Sequence, residues 1–138
     1  MPYTVLRVAD VAREVGLMSK RERRAYEGAV DALRGEGCRA GGKRVASVAA
    51  GDYPICQRSL YRDWRMLTVY RQDKSIVIVA LGRHTETESP GGALAESCPG
   101  LSATGRRRSE QPPCCEEEAA PPTLSDELEA RLSDLYGI

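Results

Sequence analysis

The stretch Cys56-Gln57-Arg58-Ser59-Leu60-Tyr61-Arg62-Asp63-Trp64-Arg65-Met66-Leu67-Thr68-Val69-Tyr70 is followed after a turn by Ser75-Ile76-Val77-Ile78-Val79-Ala80-Leu81-Gly82-Arg83-His84. Apolar and β-branched residues fall into runs of strand length separated by turn residues, the pattern of consecutive antiparallel strands. We read the strands as Ile55 to Arg62, Arg65 to Arg71 and Ser75 to Arg83, with turns at Asp63-Trp64 and Asp73-Lys74. Even-numbered loops would set Arg62 across from Arg65, and residue 65 across from residue 82. Arg58, Arg62, Arg65 and His84 would then share one face of the sheet and Arg83 the other. A single bulge would reverse that parity.

Such a face has a chemical meaning. Guanidinium groups carry fixed charge and bind phosphate oxygens in pairs. His84, the chain's single histidine, can exchange a proton near neutral pH. Together they suit a phosphodiester.

Upstream, Tyr3 to Val8 alternates as a strand, and Asp10 opens a short helical segment through Val11, Ala12 and Val15 that stalls at Gly16. Ser19 and Glu22 form a capping box, and Tyr26, Ala29, Val30 and Leu33 recur at helical spacing. This second helix should run to about Arg34, ahead of Gly35 and Gly37. Lys43 to Asp52 reads as a short strand or loop. The fold class expected is α+β: an N-terminal strand, a helical hairpin, then an antiparallel sheet, occupying residues 1–86. Residues 87–122, rich in Pro, Gly, Ser and Glu, read as a flexible linker. Residues 123–138 read as an acidic amphipathic helix with Leu124, Leu128, Leu132 and Leu135 in one stripe before Gly137. So short a helix is marginal alone and should dock on its own sheet, on a second copy or on another protein.

The 138 residues allow one modest domain and a tail. Formal charge is zero, yet residues 1–86 carry 16 basic against 10 acidic residues while residues 87–138 carry 4 against 10. Of the 20 basic residues 17 are arginine, which fits phosphate binding and equally fits the codon habit of a GC-rich genome. No apolar run approaches the ~20 residues that span a bilayer, and no secretory leader is evident, so a cytoplasmic protein is expected. Cys38, Cys56, Cys98, Cys114 and Cys115 form an odd, irregular set without a paired C-x-x-C. Free thiols are therefore expected rather than disulfides or a zinc site.

The order strand, helical hairpin, antiparallel strands resembles the RelE/ParE superfamily of bacterial type II toxins. Asp63-Trp64-Arg65-Met66-Leu67-Thr68-Val69-Tyr70 is similar to that family's Gly-Asp-Tyr-Arg-hydrophobic-hydrophobic-Tyr strand, and Ile76 to His84 resembles its closing strand, which ends in a basic residue or histidine. RelE-like members cleave messenger RNA in the ribosomal A site without metal, the 2′-hydroxyl attacking the adjacent phosphate to leave a cyclic phosphate and a free 5′-hydroxyl. What the resemblance implies is a bacterial, cytoplasmic, cofactor-free endoribonuclease that inhibits translation. Its partners would be the ribosome, messenger RNA and a small antitoxin protein, with no membrane. The C-terminal helix offers a route to a homodimer.

By that resemblance Arg65 matches the strand arginine, and Arg58 the basic position seven residues before it. Both would stabilise charge developing on the phosphoryl oxygens. His84 would move the proton, a contribution of about 10²- to 10⁴-fold for a well-placed group. Arg62, Arg83, Lys43 and Arg44 would hold flanking phosphates and ribosomal RNA, and Tyr61, Tyr70 or Trp64 would provide a stacking surface for RNA, with nothing in the sequence choosing among the three. The tyrosine that many ribosome-dependent members carry beyond the last strand has no counterpart in Thr85-Glu86-Thr87-Glu88.

Each residue also has a plainer account. Arg58, Arg62 and Arg65 could be edge charges that discourage strand pairing, and His84 a surface histidine. Trp64 could be a packing anchor. Lys20, Arg21, Arg23 and Arg24 cluster at a helix start, where cations oppose the macrodipole, which allows an RNA-facing role; a solvated helix face is the favoured account. Two other functions stay open: a ParE-like inhibitor of DNA gyrase acting through protein contacts, and a relative that only binds RNA or protein.

Overall fold

The computed structural model describes residues 3–47, 51–62, 64–83, 113–116, 118 and 120–137. Strand β1 (Val5–Arg7) leads into helices α1 (Ala9–Gly16) and α2 (Lys20–Glu36), a 3-10 turn (Gly37–Ala40), then β2 (Lys43–Ser47), β3 (Gly51–Ser59), β4 (Trp64–Tyr70) and β5 (Ile76–Arg83). A last helix, α3, spans Asp126–Tyr136. The five strands form one mixed sheet in the order β1-β5-β4-β3-β2. β1 lies parallel to β5, and every other pair is antiparallel. The α+β class expected from the sequence is observed, with Lys43 to Ser47 settled as an edge strand.

Local chemistry explains the helical hairpin. Ser19 Oγ accepts from the Glu22 backbone N–H (3.2 Å) and Glu22 Oε1 accepts from the Ser19 N–H (2.8 Å), so the capping box forms and starts α2. Tyr26, Ala29, Val30 and Leu33 are buried on one face of the helix, as their spacing requires. The helix passes through Gly35 and stops at Gly37, whose φ of 63° releases the chain from the helical path. Leu33, Ile55, Met66, Leu67, Val69, Ile76, Val77 and Ile78 are almost wholly removed from water and build the core.

Two findings concern the C-terminal part. The sequence predicts free thiols, but Cys38 is bonded to Cys115 and Cys56 to Cys114, with Cα separations of 5.2 and 5.5 Å that fall within the usual disulfide range. Linear spacing could not reveal this, because the partners lie 77 and 58 residues apart and meet only when the 3-10 turn packs beside β3. Loops of that length stabilise a fold by about 4 kcal/mol when closed singly, and the second by less because it is nested in the first. Cys98 lies outside the described residues. Cys114 and Cys115 belong to the segment read as a linker, so residues 113–116 are tied to the domain: the Cys114 N–H donates to Gly42 O (3.0 Å), and Pro113 bridges to Lys43.

Helix α3 docks on its own chain. The Leu124 N–H donates to Tyr70 O (2.8 Å), the Gln72 side chain donates to Leu124 O (3.0 Å) and Asp126 Oδ1 (2.9 Å), and Arg71 pairs with Glu129 (3.6 Å). Leu124 and Leu132 are buried and Leu128 packs partly against the core, so much of the stripe considered for dimerisation is covered from within. Gly137 caps the helix in the left-handed conformation. The helix acidity meets Arg71 at the β4–β5 turn, at the opposite end of β4 from Arg65. No helix among the described residues is long and apolar enough to cross a membrane.

Candidate nucleic-acid interface

The β3–β4 hairpin tip is anchored to the start of α2. Trp64, read from sequence as a turn residue, begins β4, is 4% exposed, and donates its indole N–H to Glu22 Oε2 at 2.6 Å. Glu22 thus serves the helix cap with one oxygen and the hairpin with the other. The Leu60 N–H donates to Trp64 O (2.9 Å) and the Trp64 N–H to Tyr61 O (3.4 Å), closing a loop that carries Tyr61 and Arg62. Arg62 sits in this loop at φ 60°, a left-handed conformation uncommon for arginine.

This loop changes the register expected for the hairpin. Ser59, not Arg62, lies opposite Arg65, and Arg58 lies opposite Met66. The expected pairing of residues 65 and 82 is observed, with an irregularity between Leu67 and Thr68 further along. Directly paired residues point to one face and their neighbours to the other. Arg58 and Arg65 therefore occupy opposite faces, which corrects the shared face expected for Arg58, Arg62 and Arg65. The physical cause is the odd loop count imposed when Trp64 is drawn onto Glu22. Arg58 donates to Ala40 O (2.8 Å), and half-buried Arg65 donates to Trp64 O (3.1 Å).

The other predicted residues divide as follows. Lys43 is exposed at the start of edge strand β2, opposite Gln57, with Arg44 opposite Cys56. Arg83 ends β5 opposite Trp64. His84 lies outside the described residues. Tyr61 and Arg62 are brought together, the Arg62 guanidinium 5.4 Å from the Tyr61 ring centroid.

Arg21, which sequence reasoning treats as part of a solvated face, completes this group. A hydrogen bond from the Arg62 side chain holds the Tyr61 phenol below the ordinary tyrosine range, and a second from Arg21 adds to it. Lys20, Arg23 and Arg24 are exposed in the same two turns of α2, beside exposed Leu17. The result is a cationic rim with a tyrosine at its centre, able to take phosphates on its guanidiniums and a base or ribose against the ring. The sequence signal for Arg21 is its place in the cluster of Lys20, Arg21, Arg23 and Arg24, where cations at a helix start oppose the macrodipole; its closeness to Tyr61 depends on the Trp64–Glu22 bond between residues 42 apart. A cleft of about 600 Å³ between β1 and α2 is a poorer anion site, because Arg7 and Arg34 are balanced there by Glu27 and Asp31. Among the described residues no cluster of His, Cys, Asp and Glu is suited to a metal ion.

Alkaline titration should expose this geometry. The Tyr70 hydroxyl, which accepts from Thr68 Oγ1 (3.3 Å) and lies 3.2 Å from Cys114 Sγ, is pushed up to about 12 by burial. Tyr61 should ionise well before Tyr70 when phenolate absorbance is followed. A raised phenol favours the neutral form in the folded state, so the Tyr70 contribution is intact below the ordinary tyrosine value and is lost as pH climbs from there to about 12. Arg62→Ala should delay the Tyr61 transition; an unchanged curve would contradict the contact.

No family model matches the chain, and no curated protein matches it.

Proposed function

We propose that the chain is a RelE-like toxin of a type II toxin–antitoxin pair, an endoribonuclease that cuts messenger RNA on the ribosome and is restrained by a small antitoxin. Three things support this reading: the resemblance of residues 63–70 and 76–84, the α+β order of strand, helical hairpin and sheet, and the cationic rim. The observation that carries it is the Arg21–Tyr61–Arg62 cluster, where two guanidiniums flank one phenol at the tip of the hairpin that also supplies Arg65.

The rim would hold the RNA backbone, with Lys43 and Arg44 extending the grip along β2. Arg65 would meet the phosphoryl oxygens as the 2′-hydroxyl attacks, and His84 would take or return the proton. Arg58 is left out of that step, because its guanidinium is bound to Ala40 O on the opposite face of the sheet. The chemistry then rests on one guanidinium and one imidazole rather than a cluster.

Purified ribosomes programmed with a defined message provide the test. Codon-positioned 5′ ends should appear with the intact chain, and Arg65→Ala should lower cleavage by about 10²-fold or more. Arg21→Glu with Arg62→Glu should weaken RNA binding and flatten its salt dependence by about two charges' worth. Absence of cleavage, with gyrase supercoiling inhibited instead, would replace this reading by the ParE-like one.

A further inference from the structure

The two disulfides share a design that the proposed activity does not use. Adjacent residues Cys114 and Cys115 reach in different directions, one to Cys56 within β3 and the other to Cys38 after α2. They fasten the C-terminal segment twice at a single point. The bridges also differ in access. Cys56 and Cys114 are 0% and 1% exposed, whereas Cys115 is half-buried. With Cys38 at 5%, Cys115 is the least buried of the four, so a small thiol should meet the outer bridge first, at Cys115.

Beyond this point the segment is held weakly. Its non-covalent anchors are buried Leu124 and Leu132, part of Leu128, the hydrogen bonds around Tyr70 and Gln72, and the Arg71–Glu129 pair. Against these stands the entropy of ordering residues 113–137, and an eleven-residue helix has little stability of its own. The bridges offset this by keeping the segment beside its docking surface at high effective concentration.

We propose that the four cysteines form a reversible thiol–disulfide strap, opened by dithiols first at Cys38–Cys115 and then at Cys56–Cys114, whose state decides whether residues 113–137 are docked on the sheet. A reagent thiolate attacks Cys115 Sγ, forming a mixed disulfide and displacing the Cys38 thiolate. The reagent's second thiolate resolves that bond, leaving two cysteine thiols after protonation and an oxidised, cyclised reagent. Two electrons pass from the dithiol to the bridge. The same step then opens the inner bridge, and a small-molecule disulfide reverses both. In a reducing cytosol the segment is released, and under oxidation it is strapped down. This device stands apart from whatever the chain acts upon.

The experiment uses the full chain, oxidised and then titrated with dithiothreitol, with alkylation mapping of each cysteine and hydrogen exchange of the amides. The half-reduced species should carry alkylated Cys38 and Cys115 with Cys56–Cys114 intact. Full reduction should speed exchange in α3 at least tenfold while residues 26–33 of α2 keep their protection. In Cys38→Ser/Cys115→Ser one reduction step should suffice to release α3. Simultaneous opening of both bridges would overturn the ordered strap. Continued protection of α3 after full reduction, or joint loss of protection in α2 and α3, would overturn the release. Recovery of all five cysteines as free thiols from the air-oxidised protein would overturn the strap itself.

Discussion

Gly42→Ala should lower the free energy of unfolding by about 3 kcal/mol, one of the two largest effects expected of a single substitution in this chain. Gly42 follows the 3-10 turn at φ 84°, where a side chain strains the backbone, and its carbonyl accepts from the Cys114 N–H. A Cβ there would run into Gln57 O and approach Arg58 Cα to 2.9 Å, backbone atoms of β3 that cannot step aside. Either β2 leaves its partner strand or the turn is rebuilt. Gly16→Ala is the matched control, because an added methyl there would meet nothing within 4 Å and φ is not positive. That substitution should be neutral or stabilising by up to about 1 kcal/mol through a less flexible unfolded chain. Urea unfolding of both variants checks the contrast, and a Gly42→Ala loss below about 1 kcal/mol would contradict the close approach.

Trp64→Phe should cost about 2–3 kcal/mol and also disturb the rim. Phe keeps an aromatic ring but not the pyrrole half of the indole, so the loss combines a small cavity with removal of the indole N–H and its 2.6 Å bond to Glu22 Oε2 across 42 residues of sequence. Glu22 is only 9% exposed, and its carboxylate would lose a donor without gaining water. Trp64→Phe combined with Glu22→Gln should recover part of the loss, since a neutral amide keeps the Ser19 cap and no longer buries a charge. The hairpin tip would also loosen from α2. Tyr61 should then ionise later than in the parent, because Arg21 no longer stands beside it. A double variant no more stable than Trp64→Phe, with Tyr61 unchanged, would mean that the indole packs but does not tether.

The site was only partly legible in the sequence. Tyr61 and Arg62 are neighbours in the chain, and their pairing needs only a turn. Arg21 reads as a solvent-facing residue because its closeness to Tyr61 depends on the Trp64–Glu22 bond, which joins a helix start to a hairpin tip. The face expected to be shared by Arg58 and Arg65 failed for a related reason. Strand periodicity fixes alternation within a strand, but the phase between two strands is set by the loop that joins them, and Trp64 entering β4 made that loop odd.

What the chain's own pattern determined is everything governed by local periodicity and capping. The Ser19–Glu22 box, the buried stripe of Tyr26, Ala29, Val30 and Leu33, the apolar runs of β4 and β5, and the Gly137 stop of α3 all arise from residues within a turn or two of one another. Tertiary structure alone decided which cysteines bond, which way Arg58 faces, and where α3 docks. Each depends on distant residues meeting once a core has formed, and neither spacing nor propensity carries information about such meetings.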